Sequence, residues 1–242
     1  MDSRVPEIRK HLKKKLDAYR YEHTLGVEFT CQALAMRYGY DLDKADLAGL
    51  LHDSAKRFEN PVMLQKCLDR GIPVTAEEER DPSLLHAKLG AWMAENKYGV
   101  DDPEILSAIT CHTTGKPGMG LLDKILYVAD YIEPRRSKAA NLTAMRKLAF
   151  IDLDEACLEI MESILVYLKS TGCQVDPMTE AACEDMRRVV SERKKETAGE
   201  ASAGTGITHQ DKEEQSVESV KRNGKTCSRG FGREKRRRRK NY

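Results

Sequence analysis

Six side chains between positions 23 and 130 have the types and settings to do chemistry: His23, the adjacent pair His52-Asp53, His86, His112 and Asp130. His52 and Asp53 sit in Leu50-Leu51-His52-Asp53-Ser54-Ala55-Lys56, and Asp130 sits in Ile125-Leu126-Tyr127-Val128-Ala129-Asp130-Tyr131-Ile132. His112 follows Ile105 and Ile109 on an apolar helical face, His86 follows Leu84-Leu85, and His23 opens a helical stretch. Burying imidazole and carboxylate groups among aliphatic side chains costs free energy unless something compensates them. A buried carboxylate must find a positive partner or take up a proton. Taken singly, a buried histidine is ordinarily a hydrogen-bonded core residue and a buried aspartate a cap or ion-pair partner. Six such positions in one chain point instead to a shared metal site. Four imidazoles and two carboxylates suit iron, manganese, zinc or cobalt and do not choose among them. The other two histidines read differently: His11 lies among Lys10, Lys13, Lys14 and Lys15, and His209 lies near the C-terminus.

The elements that must position these groups read as helices. Leu47, Leu50 and Leu51 form one apolar stripe, and Leu85, Leu89, Trp92 and Met93 another; Leu121 to Ile132 and Leu153 to Leu168 continue the pattern. Asp81-Pro82, Asp102-Pro103 and Asp176-Pro177 read as N-caps with a first-turn proline, and Thr75-Ala76-Glu77-Glu78 has capping-box spacing. Gly39, Gly71, Gly99 and Gly172 are candidate helix stops. Ala45, Ala48 and Gly49 lie on or beside the face that carries His52, where small residues admit a neighbouring helix at close range. No convincing alternating strand appears. The expectation is an all-α domain of nine or ten helices over residues 1–195.

Composition agrees. Apolar residues make up 40% of the 242 and aromatic residues 6%, a balance of Leu, Ala, Ile and Met that favours helices over sheets. Seven cysteines without a CxxC pair read as reduced packing thiols, which implies a cytoplasmic protein. Neither an apolar leader nor a run of about 18 apolar residues is present, so no membrane partner is expected. The net charge of +2 conceals an asymmetry. Residues 191–242 hold 15 Lys plus Arg against 8 Asp plus Glu, and the remainder holds 26 against 31. Residues 196–242 read as a disordered basic tail, and the stretch 221–240 equally as a surface for nonspecific nucleic-acid contact or as a solubilising terminus with no dedicated partner.

The order of these residues resembles the HD-domain hydrolases, whose signature His…His-Asp…Asp corresponds here to His23, His52-Asp53 and Asp130. Arg20-Tyr21-Glu22-His23-Thr24, His52-Asp53-Ser54-Ala55-Lys56, His86-Ala87-Lys88-Leu89-Gly90, His112-Thr113-Thr114-Gly115 and the run from Leu122 to Pro134 narrow the resemblance to the YqeK family, over most of residues 10–190. The resemblance implies an HD-domain helical bundle, a di-iron centre and symmetrical hydrolysis of diadenosine tetraphosphate to two ADP. Carried over by position, His23, His52, Asp53 and Asp130 would hold one metal and His86 and His112 the second, with Asp53 bridging. The Gly-Tyr-Pro motif of the cyclic-dinucleotide phosphodiesterases with an HD signature is absent.

Two metals sharing a water would lower its pKa and supply hydroxide near neutral pH. The expected catalytic residues are Asp53 and Lys56, and the expected substrate-binding residues are Arg20, Lys56, Lys116 and Arg135, with Arg136 ranked below Arg135. No P-loop or GxGxxG fingerprint is present, so phosphate binding would rest on metals and basic side chains. The expected partners are a dinucleoside polyphosphate substrate, nucleic acid along the tail, and a second copy of the chain in a homodimer. The competing readings are a deoxynucleotide or alarmone hydrolase on the same scaffold, a nucleic-acid- or ribosome-associated protein acting through the tail, and a sensor that has lost catalysis.

Overall fold

In the computed structural model, residues 2–203 are described, with side chains to 198. They form α1 (Val5–Lys15), α2 (Ala18–Tyr38), α3 (Leu42–Leu51), α4 (Asn60–Leu68), α5 (Ala76–Arg80), a short 3-10 helix at Pro82–Leu84, α6 (Leu85–Tyr98), α7 (Pro103–Cys111), α8 (Leu121–Ile132), α9 (Leu142–Leu148), α10 (Leu153–Ser170) and α11 (Pro177–Ala203). The all-α expectation holds: among the described residues there is no strand. Among the described residues the α-helices number eleven rather than about nine or ten, because α5 and α9, of 5 and 7 residues, are too short to show a full apolar period.

The start and stop signals act as their chemistry requires. Asp102 accepts from the Glu104 amide at 2.9 Å and Asp176 from the Met178 amide at 2.7 Å. Asp81 caps the 3-10 helix, and Thr75 and Glu78 complete a reciprocal capping box. Gly39 and Gly99 end α2 and α6 in the left-handed conformation that L side chains resist.

The main core is built from the inner faces of α2, α3, α7, α8 and α10, around Val27, Leu34, Leu50, Leu51, Ile109, Ile125, Leu126 and Ile160. A smaller cluster of Ala55, Met63, Cys67, Leu85, Leu89 and Met93 joins α4 to α6. The small face read on α3 is used for close packing. A Cβ on Gly49 would lie 2.7 Å from the Cα of Glu28, so only glycine lets α2 and α3 approach this closely. Of the described cysteines none is paired, and all but Cys173 are buried. Among the described residues no helix is long and apolar enough to cross a membrane.

The chain divides into a compact unit, Met1–Thr197, and a second unit, Ala198–Tyr242. Helix α11 runs to Ala203, past the boundary at 195 suggested by composition, through Glu196, Ala198, Glu200, Ala201 and Ala203, residue types that favour helix. The tail from 204 onward, with its basic stretch at 221–240, lies outside the described residues.

Candidate metal centre

Five elements each bring part of one cluster. His23 lies in the second turn of α2, whose start is fixed by Asp17 accepting from the Arg20 amide at 2.8 Å. His52 caps the C-terminus of α3, and the chain then tightens into successive i→i+3 turns, Ser54 N to Leu51 O at 3.0 Å and Lys56 N to Asp53 O at 3.0 Å. Neighbours on a continuous helix point about 100° apart. Ending α3 at Leu51 lets His52 and Asp53 face the same place. His86 comes from the first turn of α6, His112 from the C-cap of α7, and Asp130 from the last turn of α8.

The four imidazoles converge on one carboxylate. Asp53 Oδ2 lies 3.7 Å from His23 Nε2 and 3.6 Å from His52 Nε2, while Oδ1 lies 3.5 Å from His86 Nε2 and 3.8 Å from His112 Nε2. Asp130 Oδ1 joins the first pair, 3.1 Å from His23 Nε2 and 3.9 Å from His52 Nε2. Ligands held about 2.1 Å from one ion lie about 3 Å apart at right angles and about 4 Å apart when opposite. The observed separations fall in that interval.

Each ring is turned the same way. His52 Nδ1 donates to Gly49 O at 2.7 Å, His86 Nδ1 to Ser83 O at 2.5 Å and His112 Nδ1 to Ile109 O at 2.7 Å, each to the carbonyl three residues earlier. His23 Nδ1 donates to Glu133 Oε1 at 3.1 Å. A proton on Nδ1 leaves the Nε2 lone pair aimed at the centre. His23 Nε2 and His52 Nε2 are buried without a hydrogen bond, and His86 Nε2 faces His112 Nε2 at 3.0 Å. Lone pairs that face one another, or face carboxylate oxygens, in a buried place fit a cation between them.

Charge is arranged to match. Burial pushes His52 down to about 4 and, with His112 adding, His86 down to about 3, so both rings are neutral at pH 7. Burial opposes ionisation of Asp53, yet His52, His112 and His86 together hold its carboxyl well below the usual range. For Asp130, burial is outweighed by His23, Arg136 and His52, and its carboxyl is likewise lowered. Burial also lowers the Lys56 ammonium, against the pull of Asp53.

Of the sequence-predicted residues, His23, His52, Asp53, His86, His112 and Asp130 come together. Arg20 joins them, its Nη1 2.6 Å from Asp53 Oδ2, and Lys56 lies half-buried within electrostatic reach of Asp53 and Asp130. Arg135 stands beside the cluster, bonded to Glu22 at 3.1 Å on the surface. Its neighbour Arg136, ranked lower from sequence, reaches Asp130 Oδ1 at 2.8 Å. Lys116 is engaged elsewhere, 2.5 Å from Ser107 Oγ and 3.1 Å from Asp123 Oδ2, and does not join the cluster. Sequence reasoning missed Glu133. This residue is 1% exposed, and its carboxylate also accepts from the Arg135 amide at 2.7 Å. A Cβ on Gly26 would lie 2.6 Å from Glu133 Oε2, so the glycine makes room for that carboxylate. The signal was an acid wedged between Ile132 and Pro134, three residues past Asp130.

Comparison with known proteins places this arrangement. The HD domain matches residues 20–135. A Bacillus subtilis (strain 168) protein named symmetrical bis(5'-nucleosyl)-tetraphosphatase is 40% identical over 168 residues, covering 69% of this chain and 89% of its own length. A Staphylococcus aureus protein of the same name is 33% identical, covering 68% of this chain and 84% of its own. The crystal structure of a predicted HD superfamily hydrolase involved in NAD metabolism, from Clostridium acetobutylicum, superposes with a TM-score of 0.73 at 36% identity, covering 76% of this chain and 96% of that one. With an HD signature joined by two further histidines, four imidazoles meeting at the Asp53 carboxylate, and relatives matched over most of their length, the chain belongs to the YqeK-type family of HD-domain hydrolases.

Proposed function

We propose that this chain hydrolyses diadenosine tetraphosphate symmetrically, to two ADP, at a centre of two transition-metal ions. One ion would be held by His23, His52, Asp53 and Asp130, the other by Asp53, His86 and His112. The observation that carries this reading is the Asp53 carboxylate, whose two oxygens each serve a different pair of imidazoles, Oδ2 within 3.7 Å of His23 and His52 and Oδ1 within 3.8 Å of His86 and His112. The substrate rests on the names of the relatives. Iron rests on the family resemblance; the donor set also accepts manganese, cobalt or zinc. We assign the chain to the cytoplasm, where its unpaired thiols would stay reduced.

Bound ions would supply Lewis-acid activation of water and neutralise charge on the reacting phosphate. The side chains do the rest. Arg20 and Arg136 hold the carboxylates of Asp53 and Asp130 in place while keeping positive charge at the cluster. Lys56 lies among Asp53, Arg20, Asp130 and Arg136, where its ammonium would bind the phosphate oxygens. Water attacks one central phosphorus and ADP departs.

Anaerobically purified protein should contain about two ions per chain, and chromatography should show ADP as the one nucleotide product. AMP plus ATP would exclude symmetrical cleavage. His52→Ala and Asp53→Ala should each abolish turnover while the helical far-UV signal persists; turnover in either variant would remove this centre from the reaction.

A further inference from the structure

A second feature lies at the far end of α6, about 16 Å of helix beyond His86 at about 1.5 Å per residue. A groove of about 630 Å³ runs between Lys10, His11, Lys14 and Lys15 on α1 and Lys97 and Tyr98 on α6. Lys10 meets Glu7 at 3.8 Å. Among the described residues, Lys14, Lys15 and Lys97 have no carboxylate partner. The positive surface continues beyond the groove with aromatic rings set into it. Arg57 and Lys66 lie 4.6 and 4.9 Å from the Phe58 ring centre, Arg70 lies 4.7 Å from that of Trp92, and His11 meets Tyr98 edge-on at 5.7 Å. The Tyr98 hydroxyl, Arg57 Nε and Arg70 Nε are buried without a hydrogen-bond partner.

These cations press on one another. Burial first, then Arg57, Arg70 and Lys66, push the Lys97 ammonium down. Burial first, then Arg57, Lys15, Lys97 and Lys14, do the same to His11. A solvated face made only for solubility mixes both signs of charge; this groove has one acid in its lining, Glu7 beside Lys10, and otherwise leaves like charges facing each other, a cost that a polyanion would relieve. A compact polyphosphate would fill the groove alone, whereas the cations and rings extend past it along α4 and α6. That extent favours a polymer.

We propose that this strip binds single-stranded nucleic acid, with the backbone phosphates on Lys14, Lys15 and Lys97 and the bases against the aromatic and guanidinium surfaces around Tyr98 and Phe58. The proposal does not depend on the metal centre or its substrate.

Fluorescence anisotropy of a labelled oligouridylate of about 12 nucleotides, titrated with the full chain over a range of salt, tests it. In the doubly substituted chain Lys14→Glu, Lys97→Glu, affinity should fall by at least about tenfold and the log–log salt slope should become shallower by about 1.4, the loss of two phosphate contacts. Lys14→Gln with Lys97→Gln should change the slope equally with a smaller loss, which guards against misfolding of the reversed-charge chain. Nucleotide hydrolysis should be unchanged in both. Wild-type affinity in the two groove variants, with binding abolished instead by Arg236→Ala, Arg237→Ala, Arg238→Ala and Arg239→Ala in the full chain, would assign the affinity to the tail and overturn the proposal. Displacement of the oligonucleotide by inorganic tripolyphosphate at an equal concentration of phosphate groups would overturn it too, since the strip would then read a compact anion.

Discussion

At the scale of single residues, the cluster depends on groups that touch no substrate. Three of the four imidazoles are oriented by backbone carbonyls, which substitution cannot easily remove. His23 alone relies on a side chain, the buried Glu133 at 3.1 Å. Carboxylates behind metal-ligating histidines raise ligand basicity and fix the tautomer, and their loss typically costs about 10–100-fold in metal affinity or activity. Glu133→Gln should therefore lower metal retention on dialysis and kcat by that order while the unfolding midpoint in urea stays close to that of the native chain. A variant that holds metal as tightly as the native chain would show that Glu133 only fills space beside Gly26. Arg136 teaches a related lesson. It lies six residues past Asp130 and reaches back to it because the chain reverses after α8, through a turn in which the Arg136 amide bonds to Glu133 O at 3.1 Å.

At the scale of elements, the joint between α2 and α3 is where packing and charge collide. The contact that Gly49 permits also buries Glu28 completely, with Arg9 Nε 2.9 Å from Oε1 and the buried Asp46 nearby. Burial, with Asp46 adding and Arg9 opposing, pushes the Glu28 carboxyl up to about 8. The sign of the consequence follows from proton counting. Between the ordinary value of 4.5 and about 8 the unfolded chain has lost this proton and the folded chain keeps it, so folding stability falls as pH rises through that window. The slope is at most about 1.4 kcal/mol per pH unit. Glu28→Gln removes the titration and keeps an acceptor for Arg9. Urea unfolding at several pH values across the window should show the native chain losing stability relative to the variant as pH rises; parallel curves would mean that Glu28 ionises normally in the folded state.

At the scale of the whole molecule, the cluster and its supports all lie within Met1–Thr197. Arg193 on α11 is tied to Asp152 and Asp154 at the start of α10, 2.5 and 3.2 Å away, which anchors α11 to this unit. A chain ending at Thr197 should keep wild-type kcat and KM for the nucleotide substrate. A large loss of turnover would show that residues beyond 197 contribute to the reaction, a role that their composition does not suggest. The charge asymmetry belongs to this scale as well. It separates a mildly acidic catalytic body from a basic C-terminal stretch, yet it hides the basic strip on α1, α4 and α6 because that strip is offset by acids elsewhere in the same body.

Much of this was legible in the amino-acid order. Caps, stop glycines and apolar periodicity are local, so Asp102, Thr75, Gly39 and Gly99 mark helix ends without reference to the rest of the chain. The cost of burying an imidazole or a carboxylate is local too, which is why six costly positions already implied a common centre. Three-dimensional packing decided what local rules cannot reach. It separated the two oxygens of Asp53 between two histidine pairs, brought Glu133 behind His23 across 110 positions of sequence, set Arg136 against Asp130 and Arg135 against Glu22, and paired Lys116 with Asp123. Those outcomes depend on which backbone ends meet and how closely, and Gly26 and Gly49 matter because a single methyl group in either place would have kept the partners apart.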